Sequence, residues 1–166
     1  MKRHILIVLL LCVFGLVGCR RGDVTSVERN PEGGVSITAR LTEADVNAAV
    51  TEALAQMNNP LLRNPQVDLQ NGVIVINGEH ERRDGGGTVS GSINVTLSVQ
   101  NGTLLAQVSN LNIEGVAVSD ERLATFNQRL ANGFTARANR ENRQITVDTV
   151  TVTDDAIEIT ITARGA

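Results

Sequence analysis

Few residues in this 166-residue sequence have the types and spacing that chemistry needs. Glu79-His80-Glu81 places three acid–base or metal-binding groups in a row. Strand periodicity sets the two glutamates on one face and His80 on the other, so the three cannot converge on one ion. Asp84-Gly85-Gly86-Gly87 has the composition of a phosphate loop, but no lysine and no helix follow it. It reads as a strand connection. Asp154-Asp155 is a carboxylate pair that stands where a hairpin turn is required. No serine lies in a Gly-x-Ser-x-Gly elbow. The expectation is a protein without catalytic residues, without a metal and without a cofactor.

The remaining chemistry is that of Cys19. Lys2 and Arg3 form a cationic head, and Ile5 to Val17 is apolar apart from Gly15. That run of about 13 residues suits an export signal and falls short of the ~20 needed to cross a bilayer. Leu16-Val17-Gly18-Cys19 resembles the bacterial lipobox. The resemblance implies cleavage before Cys19, a diacylglycerol on its sulfur, and an exported protein held at the cell envelope, in a leaflet the sequence does not name. An uncleaved helix or a soluble secretory signal are the alternatives. Several acyl chains anchor a protein stably where one chain gives marginal binding. Residues 1–18 are then the signal peptide. Cys12 leaves with it and Cys19 is blocked, so no thiol remains for a disulfide or a thiolate metal site.

Processing also changes the charge. Lys2 is the sole lysine, and 13 arginines remain against 18 acidic residues, a net charge of −5 in place of −3. Such a chain is a poor nucleic-acid binder. Trp and Tyr are absent, so aromatic stacking platforms are too. The sequon matches at Asn94 and Asn101 carry no meaning behind a bacterial signal.

Arg20 to Gly34 is polar, holds Pro31 and Gly33-Gly34, and shows no period. Residues 19–34 are read as the lipidated Cys and a flexible tether, and the Arg21-Gly22-Asp23 tripeptide as chance. Residues 35–166 are expected to form one domain of a size that buries about two thirds of its unfolded surface.

Val35, Ile37, Ala39 and Leu41 alternate as a strand. Thr42 then caps a helix whose first turn holds Glu43 and Asp45. Leu41 and Val46 stand at the positions of a hydrophobic staple. Val46, Ala49, Val50, Ala53, Leu54 and Met57 form one apolar stripe. Two hairpins follow, each with Asn-Gly between alternating strands. Asn71-Gly72 and Asn101-Gly102 are expected to take positive φ at both positions. Ser119 caps a second helix, with Val118 and Leu123 as its staple, ending at Gly133 or near Ala138. Ile145 to Ile161 is a third hairpin around Asp154-Asp155. The fold class is α+β: a curved, mostly antiparallel sheet of about five to seven strands packed on two amphipathic helices.

LTEADVNAAVTEAL, VDLQNGVIVINGE, INVTLSVQNGTLLAQVSNLNIEG, VSDERLATFNQRL and VTVTDDAIEITITAR together resemble the LmeA-type phospholipid-binding family. That family is related in architecture to tubular lipid-binding (TULIP-like) domains. The resemblance implies a sheet wrapped on a helix, with an apolar groove for acyl chains and no catalytic residue. Its partners would be the membrane, through lipidated Cys19, and a phospholipid or fatty acid. Leu54, Met57, Ile93, Val95, Leu97, Leu123, Phe126, Ile157 and Ile159 are the candidate groove lining. Arg122 and Arg129 fall near one line with Arg140, beside the stripe of Leu123, Phe126 and Leu130, and are candidate head-group contacts. Snorkelling arginines over a core edge are the plainer reading of that row. The alternative function is a structural or partner-binding surface lipoprotein in which the same apolar residues form a closed core.

Overall fold

The computed structural model describes residues 22–31, 34–58, 60–82, 85–140 and 145–163. Residues 1–18, read from the sequence as a signal peptide, lie outside the described residues, as do Cys19 and Asp84. The described residues form eight strands and two helices: β1 (Asp23–Arg29), β2 (Val35–Thr42), α1 (Glu43–Ala55), β3 (Arg63–Gln70), β4 (Val73–Glu81), β5 (Thr88–Gln100), β6 (Thr103–Ile113), α2 (Asp120–Arg140), β7 (Ile145–Val152) and β8 (Ala156–Ala163). The single sheet expected from the sequence is two. One has the order β1-β2-β8-β7 and the other β3-β4-β5-β6, and every pairing is antiparallel. The division arises because β2 pairs with β8 from the far end of the chain, Val35 opposite Ala163. No local pattern announces such a pairing.

The extra strand is β1, which lies inside the segment read as a tether. It was illegible because a bulge at Thr25 breaks its alternation: Val24 pairs with Ala39 and Ser26 with Thr38. The same device explains phase changes elsewhere. In β6 Leu104, Ala106 and Val108 face inward at even positions. A bulge between Val108 and Asn110 then turns Leu111 and Ile113 to the same side. In β7 the bulge falls at Asp148, so Val147 and Val150 share a face. Asp148 accepts a hydrogen bond from the Thr162 hydroxyl at 2.6 Å.

α1 begins as the sequence predicts. Thr42 Oγ1 accepts from the Asp45 N–H, and the Asp45 carboxylate accepts from the Thr42 N–H at 2.9 Å, a reciprocal capping box. Val46, Ala49, Val50, Ala53 and Leu54 are buried, and Met57 is buried just past the helix end. α2 starts at Ser119, whose Oγ accepts from the Arg122 N–H at 3.4 Å. It runs through Gly133 to Arg140.

Both helices hold the sheet of β3 to β6 by its edges. β3 and β6 are the outer strands of that sheet, so alternate backbone groups point away from it. From α1, Asn47 Oδ1 accepts from the Val67 N–H and Glu43 Oε2 from the Leu69 N–H, both at 2.9 Å. From α2, Asn127 uses both ends of its amide. Oδ1 accepts from the Val108 N–H and Nδ2 donates to the Val108 carbonyl, each at 2.8 Å. Edge groups that would otherwise recruit another strand are thus occupied. Asn127→Leu removes both bonds and leaves the Val108 groups without partners, at a cost of about 2 kcal/mol. Urea unfolding should register it, and hydrogen exchange at Val108 should accelerate.

The two sheets meet at hairpin tips. The Gly72 N–H donates to the Val152 carbonyl at 2.9 Å, and the Val147 N–H to the Gly102 carbonyl at 2.8 Å. Asn101 and Gly102 take φ of 51° and 71°, as expected. In the other turn Gly72 alone has positive φ, 80°, and Asn71 does not. The bond from Gly72 to β7 fixes that turn from outside, so local preference does not decide it.

Candidate functional site

Between the inner face of β4 to β6 and the first half of α2 lies a cavity of ≈ 240 Å³. Its floor is Ile76, Ile93, Val108 and Leu111, one apolar row from three adjacent strands. Val118, Leu123 and Phe126 roof it, and Leu54 with Leu61 and Leu62 closes the side toward α1. The staple pair Val118 and Leu123 that starts α2 is therefore part of the wall. Arg122 is the one charged residue in the lining, and it is exposed, so the cavity reaches solvent beside it. Among the described residues no buried polar side-chain atom lacks a hydrogen-bond partner. Nothing inside the cavity could orient a polar ligand. Its chemistry is that of a hydrocarbon slot with a cation at the rim.

The rear wall depends on two glycines. Gly78 and Gly91 are cross-strand partners on β4 and β5. A Cβ on Gly91 would stand 2.6 Å from Leu62 Cδ2, and one on Gly78 would stand 2.7 Å from the Arg63 carbonyl oxygen. Only glycine lets the segment after α1 settle onto the sheet so closely. Leu62, 1% exposed, fills that saddle and presents its other side to the cavity.

Of the residues expected to line a groove, Leu54, Ile93, Leu123 and Phe126 do meet in this cavity. Met57, Val95, Ile157 and Ile159 do not. They are buried in the core, and Leu97 packs against it. Strand alternation puts Ile93, Val95 and Leu97 on one face of β5 but does not say which part of that face a helix leaves uncovered. Leu61, Leu62, Ile76, Val108, Leu111 and Val118 went unnoticed as lining. Leu61-Leu62, an apolar pair between Pro60 and Arg63, was the available signal. Arg122 stands at the cavity rim, whereas Arg129 lies two helical turns along an exposed face and outside the lining. The side chains of Leu130 and Arg140 lie outside the described residues.

The weaker candidates have structural work. Glu79 accepts from Asn64 Nδ2 at 3.0 Å, His80 Nδ1 lies 2.8 Å from the Leu61 carbonyl, and Glu81 is paired with Arg63. Among the described residues no group of three metal-binding side chains occurs. At Asp154-Asp155 the Thr153 hydroxyl accepts from the Asp155 and Ala156 N–H groups, which makes the pair a turn. A second depression, on the outer face of the same sheet, is lined by Asn77, Ser90, Ser92, Asn112 and Glu114 and is polar.

The fold is an α+β domain of two antiparallel sheets with an apolar slot under a helix. The model of the LmeA-like phospholipid-binding family matches residues 17–162, and the chain belongs to that family. No curated protein sequence matches it.

Proposed function

We propose that this chain is an exported, membrane-anchored lipoprotein without enzymatic activity that takes an acyl chain of a phospholipid or fatty acid into the cavity under α2. The observation that carries the reading is the ≈ 240 Å³ slot with its wholly apolar interior and one cation, Arg122, at the rim. Family membership supports a lipid as the occupant. The slot exceeds the roughly 150 Å³ that admits a benzene ring and falls below the ~300 Å³ where pockets for larger ligands begin. It accommodates part of one chain, so a diacyl lipid would leave its second chain outside. Arg122 would meet the phosphate or carboxylate, and Arg129 a more distant one.

Anchoring rests on the lipobox. Cys19→Ser should abolish acyl labelling and leave the precursor uncleaved; unchanged processing would overturn that part. Lipid binding is tested by native mass spectrometry of delipidated protein offered phosphatidylglycerol or palmitate. One bound lipid per chain is expected. Protein that takes up neither would be a closed-core surface lipoprotein.

A further inference from the structure

We propose that β1 is a membrane-contacting strand that lies along the bilayer surface with Val24 and Val27 turned into it. The inference rests on the reading of Cys19 as the anchor. Val24 and Val27 are 62% and 63% exposed, the largest exposures among the large apolar side chains of the described residues. Three residues apart, they should point to opposite faces of a regular strand. The bulge at Thr25 removes that difference. Val24 pairs with Ala39 and Val27 with Ile37, two residues on one face of β2, so both valines face the same way. Arg29, opposite Val35, extends the row with a cation. β1 is also an edge strand, bonded to β2 on one side only.

The position of the anchor identifies the occupant. Only Arg20 and Arg21 separate Cys19 from Gly22. At ~3.3–3.6 Å per residue, Val24 lies within roughly 18 Å of the Cys19 backbone even in a fully extended chain. A lipid on Cys19 therefore holds β1 at the head-group layer. Arg20, Arg21 and Arg29 outnumber Asp23 and Glu28, which β1 carries on its other face, so the valine face suits an anionic surface. Two valines and an arginine on one strand face are too small for a stable protein interface. Under a fixed anchor they need supply only orientation.

The sequence has no Trp, so one introduced indole is a clean reporter. Full-length lipidated Val27→Trp is reconstituted in vesicles of phosphatidylcholine and phosphatidylglycerol, and compared with Gln107→Trp on the exposed side of β6. The proposal predicts a blue-shifted emission for Val27→Trp that is quenched by acyl-brominated lipid and shielded from acrylamide, with neither effect in Gln107→Trp. Emission unchanged by vesicles and equal acrylamide access in both variants would overturn it. So would a chain that fails to float with the vesicles, which also removes the anchor. Lipid uptake is scored separately on the same proteins. Loss of uptake with quenching retained contradicts the cavity reading and leaves this one standing.

Discussion

Leu111→Trp is expected to weaken acyl-chain binding more than tenfold while leaving the fold intact. Leu111 lines the floor of the cavity and is only partly buried, packed against the core on one side and facing the gap below α2 on the other. An indole there grows into empty space, so the usual cost of overpacking is avoided. The volume it takes is volume an acyl chain loses. Exclusion of about three methylene groups costs a ligand about 2.4 kcal/mol, a fall in affinity of more than tenfold. The urea midpoint should stay level or rise slightly. Binding retained at full strength would put the lipid elsewhere on the molecule.

Leu62→Ala should carry the largest stability cost near the site. Leu62 is 1% exposed and is held between the Gly78–Gly91 saddle and the cavity. Its removal joins new void to existing void, so little can collapse to fill it. The expected loss is about 3 kcal/mol, or a fall in Tm of about 10 °C. The partner test is a double-mutant cycle with Gly91→Ala. Alone, Gly91→Ala forces its Cβ against Leu62 Cδ2, 2.6 Å away. In the Leu62→Ala background that neighbour is gone, so the second substitution should cost clearly less than the first measurement implies. Strict additivity would show that the saddle does not hold Leu62. The widened slot should bind longer chains than the native protein does.

How much of this was legible in the sequence depends on how locally each feature is determined. The Thr42 cap, the Ser119 start, the three hairpins and the inward faces of α1 and β5 follow from short-range preferences, and they were readable. β1 was not, because its bulge destroys the alternation that marks a strand. The two-sheet arrangement was not, because β2 and β8 find each other across most of the chain. The candidate site sits between these cases. Leu54, Ile93, Leu123 and Phe126 could be chosen by face alone. Ile157 and Ile159 share the pattern but lie in the other sheet, deep in the core, and only the topology separates them. Leu62 was hidden for a different reason. Its role rests on two glycines, Gly78 and Gly91, that become neighbours only through the register of β4 and β5.

The edge clamps add a mechanical point. Asn127 ties α2 to β6 at Val108, a residue of the cavity floor, while Arg122, more than one turn earlier, stands at the rim.

The central claim, that lipid enters under α2, is tested most directly by photocrosslinking. A phosphatidylglycerol with a diazirine near the end of one acyl chain is bound to the delipidated protein and irradiated, and the adducts are mapped by peptide sequencing. The account predicts adducts on β6 and α2, at Val108, Leu111, Leu123 or Phe126. Adducts confined to other surfaces, or none at concentrations where lipid is bound, would contradict it.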